Sequence, residues 1–287
     1  MELKILQAGY CTQIEKIAIK SGKIRKIEFP AIFALIKHPE IGYILFDTGY
    51  SKHVLNSLME FPYGIYGNIT PIRLTEGQSA KEQLELMGIS CLEVRYIIIS
   101  HFHADHIGGC KDFPNARFIC SKTDYQKIRD KRGIKALIHG FVPSILPSDF
   151  DKRVEFLEDK SKAEFPISNS VFSNGYDIFN DKTIFAVVLA GHTAGQIGVF
   201  ISSSGENFFL VSDACWLSDT YRRLLFPSKV SRLIVEDYKK YLHNIMNLHS
   251  FSNQYPHIRI IPSHCTKAFS EYSKSISQIE KGEGKLI

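Results

Sequence analysis

The decapeptide SHFHADHIGG, residues 100–109, sets three histidines and one aspartate within six positions. Imidazole and carboxylate are the side chains that divalent ions of intermediate softness accept most readily. On an extended backbone His101 and His103 face one side. Asp105 and His106 follow where Gly108 and Gly109 let the chain turn closely. Four such groups cannot complete a two-metal site, since each ion needs about three protein ligands plus an open position. Three more ligand-type residues occur, each just after an apolar run: His192 in AGHTAGQIG, Asp213 in VSDACW and His264 in IPSHC. Five histidines and two aspartates suit two divalent ions. His101 and His103 would serve one and Asp105 and His106 the other. Zinc is the expected metal, with iron, manganese and cobalt tolerated by the same donors.

The elements that must hold these residues are short apolar runs at 3–7, 31–36, 43–46, 96–99, 117–120, 184–189, 197–201, 208–211 and 258–261. Several are apolar throughout, as strands buried on both faces are. Helical spacing is expected over 233–246, 78–86 and the tail after His264. The mixture implies an α/β chain with two sheets in a sandwich and helices on the outer faces. No Gly/Ser linker divides it, so residues 1–287 are expected to form one domain. Residues 61–74 and 133–147 fit neither period. Both are apolar and interrupted by glycine and proline, and they are expected to be loops that cover a pocket, pack on the core or form a homodimer face.

The chain has 287 residues, 44% hydrophobic and 23% charged, with a formal charge of +5. Its densest basic run, 122–132, contains Asp124 and Asp130 and reads as a solvated helix face. Nucleic acid is therefore not an expected partner. Six cysteines at irregular spacing point to free thiols. The first residues carry no apolar signal region, and no apolar stretch nears the ~18 residues of a membrane span. A soluble, cytoplasmic protein is expected.

The pattern H-x-H-x-D-H followed by distant His, Asp and His resembles that of the metallo-β-lactamase-fold hydrolases, over about residues 30–265. The resemblance implies the αββα four-layer sandwich. It implies His101, His103 and His192 on one metal and Asp105, His106 and His264 on the other, with Asp213 bridging. Asp47 in FDTG would be structural. Two ions would share a hydroxide that attacks an ester-type carbonyl, with Asp105 passing the proton to the leaving group.

Within that superfamily the FDTG, SHxHxDHxGG, GHTxGQ, SDA and PSH segments are most similar to the N-acyl homoserine lactonase group. This implies a small ester or lactone substrate with an apolar chain, and a quorum-quenching role. A glyoxalase II-like thioesterase or a phosphodiesterase of the same fold is the alternative. The lactonases commonly carry a tyrosine three residues after the bridging aspartate, where this chain has Trp216. Trp216 or Tyr221 would replace it, Tyr221 as the catalytic hydroxyl. Phe61, Tyr63, Tyr66 and Phe141 would contact the substrate's apolar part.

Overall fold

Thirteen strands and eleven α-helices make up the computed structural model, which describes residues 1–280. The first sheet contains β1 (Glu2–Ile14), β2 (Lys26–His38), β3 (Gly42–Phe46), β4 (Ile72–Arg73), β5 (Val94–Ile98), β6 (Arg117–Cys120) and β7 (Val154–Phe156), in the order β4-β1-β2-β3-β5-β6-β7. The second contains β8 (Ser161–Glu164), β9 (Asn174–Asp177), β10 (Ile184–Val188), β11 (Ile197–Ser203), β12 (Glu206–Ser212) and β13 (Arg259–Pro262), in the order β13-β12-β11-β10-β9-β8. The first-half helices are α1 (Glu15–Ala18), α2 (Lys52–Ser57), α3 (Gly64–Ile69), α4 (Ala80–Leu86), α5 (Ala104–Ile107) and α6 (Lys122–Ile128). Then come α7 (Gly133–Leu137), α8 (Phe150–Arg153), α9 (Ser218–Arg223), α10 (Tyr238–Gln254) and α11 (Thr266–Glu280).

Alternation along β2 shows the layering. Ile32, Ala34 and Ile36 join a buried cluster with Ile197 and Val199 of β11 and Leu210 of β12, which is the core between the sheets. Phe33 and Leu35, one step out of phase, join the cluster that the helices cover. A strand whose two faces are both buried has no polar side to show, which is why its sequence is apolar throughout. The expected αββα sandwich is the fold observed.

Parallel pairing aligns the strand ends that matter. β3, β5 and β6 run parallel, as do β12 and β13. Two reversals, β10 to β11 and β11 to β12, return β10 to the direction of β12. The segments after β3, β5, β10, β12 and β13 therefore emerge along one edge. Two backbone bonds join the sheets there, Ile32 N–H to Ser263 O at 3.1 Å and Ile197 N–H to Ser100 O at 3.0 Å.

Several expectations need correction. The helix expected from residue 233 begins at Tyr238, because Asp237 accepts hydrogen bonds from Lys239 N and Lys240 N and fixes the N-terminus there. Leu233 lies before it, 82% exposed. Segments 61–74 and 133–147 are not irregular loops; they contain α3 and α7. Strands β8 and β9 were not expected, since SKAE and NGYD lack β-branched apolar residues. β8 is an edge strand, where exposed charged side chains are the rule. Within the basic run, Asp124 is buried rather than solvated.

Candidate metal centre

The chain leaves β5 at Ile98 and passes through bends at Ser100 and His103 before α5 begins at Ala104. The short helix aims Asp105 and His106 back toward the strand ends. His192 follows β10, Asp213 follows β12 and His264 follows β13. The donor atoms of His101, His103, His192 and Asp213 fall within 4.8 Å of one another, and those of Asp105, His106 and His264 do likewise. His192 Nε2 stands 3.0 Å from His103 Nδ1 and 3.3 Å from Asp213 Oδ2. His264 Nε2 stands 3.2 Å from the same Asp213 oxygen and 3.4 Å from Asp105 Oδ2. The other Asp213 oxygen is 3.4 Å from His106 Nε2. Asp213 thus touches members of both sets.

Outer hydrogen bonds orient the imidazoles. His106 Nδ1 lies 2.8 Å from Asp47 Oδ2, and His264 Nδ1 lies 2.8 Å from the Pro30 carbonyl. His101 Nδ1 is 3.0 Å from Ser100 Oγ, which itself donates to Asp47 at 2.7 Å. With Nδ1 held as a donor in each case, Nε2 keeps its lone pair for the cluster. Asp47 and Ser212 both adopt left-handed backbone, at φ 59 and 48. Non-glycine residues hold such a conformation only where their surroundings fix it, and here both flank the site.

The electrostatics suit cations. Burial would pull His106 down, but Asp105, Asp47 and Asp213 carry it well above the ordinary histidine value. Burial, then the imidazoles of His106 and His103, hold His101 well below that value. Burial would raise Asp213, yet His264, His106 and His192 hold it well below the carboxylate range. His101 Nε2 is buried without a hydrogen-bond partner, and His106 Nε2 and Asp213 Oδ1 have only each other, at 3.4 Å. An unpaired buried acceptor is costly, and the His101 lone pair, turned into a cluster of histidine and aspartate, fits a group that takes lone pairs. The donor set therefore fits two divalent ions.

The two covering segments meet over this edge. Tyr63 Oη accepts from Gly133 N at 3.1 Å, joining the segment that carries α3 to the start of α7. Gly140, at φ +61, lies against the His103 ring, where a Cβ would come within 2.6 Å of Cδ2. A cleft of about 140 Å³ opens beside His103 and His192, with apolar Ile138, Leu233 and Ile234 and charged Asp124, Lys127 and Glu236 on its walls.

The other expected site residues divide. Trp216 is buried, and its only donor, Nε1, reaches Asp213 Oδ2 at 3.1 Å, so it supports a ligand and has no N–H left for substrate. Tyr221 does not join the cluster. Its hydroxyl donates to the Ile260 carbonyl at 3.4 Å and accepts from Arg222 Nε at 3.2 Å, because α9 turns the side chain toward β13. Phe141 is buried against Phe102, with ring centroids 6.4 Å apart, and Phe61 is 81% exposed. Tyr66 is half-buried and neighbours Asp105 and Asp213. Sequence reading missed Ser100 and Asp124; the latter accepts from Gly195 N at 3.1 Å and anchors the loop that carries His192. Neither serine nor a charge within a basic run signals such a role. All six cysteines are unpaired.

A two-sheet sandwich with paired His/Asp ligand sets along one edge defines a class of metal-dependent hydrolases. The chain belongs to the metallo-beta-lactamase superfamily, whose sequence profile matches residues 34–240. It is 26% identical over 232 residues to the N-acyl homoserine lactonase AttM of Rhizobium johnstonii, covering 79% of this chain and 81% of the relative. It is 22% identical over 280 residues to AttM of Rhizobium radiobacter, covering 96% and 97%. Among solved structures it resembles an N-acyl homoserine lactone hydrolase with N-hexanoyl-L-homoserine at its catalytic metal centre, with a TM-score of 0.71, 19% identity, and 96% and 95% coverage. It also resembles AidC, a dizinc quorum-quenching lactonase, with a TM-score of 0.60, 18% identity, and 92% and 87% coverage. No helix among the described residues is long and apolar enough to cross a membrane.

Proposed function

We propose that this protein is a lactonase that opens the ring of N-acyl homoserine lactones, with zinc as the metal at both positions. The observation that carries the reading is one carboxylate, Asp213, shared between two complete ligand sets beside a cleft whose walls mix apolar and charged side chains. Bound divalent ions would supply Lewis-acid polarisation and a nucleophile from water at neutral pH. His101, His103 and His192 would hold one ion and Asp105, His106 and His264 the other.

The chain's own residues do the rest. Asp105, 8% exposed against 2% for Asp213, is the ligand acid with more access to solvent. Its carboxylate would take the proton from the attacking water and return it to the ring oxygen as the bond opens. Ile138 and Leu233 at the cleft rim are 72% and 82% exposed. They offer contact area without hydrogen bonds, which suits an acyl chain. The names and products of the similar lactonases support the same substrate class.

The test is a pH-stat panel on protein of measured metal content. N-hexanoyl homoserine lactone should be opened, and His103→Ala or Asp213→Ala should lose both bound metal and turnover. Fully loaded protein that ignores every lactone but cleaves a glutathione thioester or a phosphodiester would sink the reading.

A further inference from the structure

His139 stands just past the end of α7, in the segment that lies against the first ligand set. Its neighbour Gly140 packs on the His103 ring, and the Gly140 carbonyl accepts from Ala104 N at 3.1 Å. The chain at 139 is thereby held beside a ligand, while the His139 side chain stays half-buried. His139 lines the same cleft of about 140 Å³ that opens beside His103 and His192.

The ring has a fixed sense. His139 Nδ1 lies 2.9 Å from the Lys135 carbonyl, one turn back in α7. A carbonyl oxygen can only accept, so Nδ1 of the neutral ring carries the hydrogen and Nε2 keeps the lone pair. Among the described residues Nε2 has no hydrogen-bond partner, and the half-buried ring leaves it open. The other polar side chains of the cleft are committed. His103 and His192 belong to the ligand set, and Asp124 accepts from Gly195 N at 3.1 Å. Lys127 and Glu236 pair with each other, and the Thr193 hydroxyl is buried. His139 is left as the uncharged acceptor that opens on the cleft.

Such an acceptor selects for a donor on the substrate. An N-acyl homoserine lactone carries one N–H, on the amide nitrogen of the carbon next to the ring carbonyl. A carbonyl drawn to the metal positions brings that N–H with it. We propose that His139 is a specificity-determining residue, whose Nε2 accepts from the amide N–H and so favours acylamino esters or lactones over plain ones. The assignment rests on the reading of this centre as one that opens N-acyl homoserine lactones.

The test uses cobalt(II)-loaded protein and two carboxylates that bind without turnover, N-hexanoylglycine and N-hexanoylsarcosine. They differ in one place, where a methyl group replaces the amide hydrogen in the second. Binding is followed by the visible cobalt spectrum in the unaltered protein, His139→Leu and His139→Gln. His139→Leu should weaken N-hexanoylglycine about tenfold, the loss expected for one uncharged hydrogen bond. N-hexanoylsarcosine should bind all three proteins alike. His139→Gln keeps an acceptor and should recover most of the N-hexanoylglycine affinity. Each protein should hold two cobalt ions per chain.

Equal N-hexanoylglycine affinity in His139→Leu, or no spectral response in the unaltered protein, overturns the proposal. So does an equal loss for both carboxylates, or a His139→Gln no better than His139→Leu. Misfolding or loss of cobalt in both variants also overturns it, by marking the ring as structural. Lactone opening measured on the same proteins separates the two readings. If N-hexanoylglycine binding depends on His139 but no lactone is opened, the lactonase reading fails alone. If N-hexanoyl homoserine lactone is opened and His139→Leu changes neither N-hexanoylglycine affinity nor kcat/KM, His139 fails alone.

Discussion

Ser100 Oγ meets four neighbours at the base of the site: Asp47 at 2.7 Å, Ser212 at 2.8 Å, His101 at 3.0 Å and His106 at 3.3 Å. Ser100→Ala removes an acceptor for His101 and a donor to Asp47 without touching a ligand. Metal affinity, measured by chelator competition, should fall about 10–100-fold, the usual cost of losing an outer partner of a ligating histidine. Unchanged affinity would show that the imidazoles are held by packing alone. Gly140→Ala acts from the other side. The new methyl would strain a left-handed residue and press on the His103 ring. One of the two ions should then bind more weakly than the other, seen as a split in a two-site calorimetric titration. A single unchanged transition would exclude that effect. The ligands could be recognised in the sequence because histidine and aspartate are uncommon directly after apolar strands. Ser100 could not, because serine is ordinary there. Tyr221 misled because chain spacing after Asp213 does not say which way a side chain turns.

Strands buried on both faces were readable from their apolar runs, whereas helix starts depended on caps that periodicity does not register. Asp237 moved α10 away from Leu233 in this way. A similar device holds α6, which presents Asp124 to the His192 loop. Glu158 accepts from Lys122 N at 2.7 Å and from Ser121 Oγ at 2.8 Å, across 36 residues of chain from Lys122. Burial works to raise the Glu158 pKa, but these bonds bring it below the ordinary 4.5. A carboxylate depressed by folding contributes its full stability above 4.5 and loses it as pH falls through the lower folded value. Glu158→Gln should therefore cost about 0.5–1 kcal/mol at pH 7, allowing for partial exposure. The gap between urea melts of the two proteins should close as the pH drops below 4.5. A gap independent of pH would mean the charge plays no part.

At the scale of the whole molecule, the two sheets share a core through most of their area but are joined by polar contacts at the site edge. His101, His103, Asp105 and His106 come from the first sheet; His192, Asp213 and His264 come from the second. Each ligand set therefore draws on both sheets, and bound metal would clamp the edge where buried charges otherwise face one another. Ions that bind only the folded chain add about 4 kcal/mol when free metal is a thousandfold above Kd. For a chain of this size that corresponds to roughly 10 °C in Tm. Exhaustive chelation should lower Tm by about this amount, and stoichiometric zinc should restore it. His192→Ala and His264→Ala should each remove most of the metal-dependent shift, because either change breaks a set that spans both sheets. A shift that survives in both variants would mean that the ions are held within the 101–106 segment alone, and that the second sheet merely abuts the site.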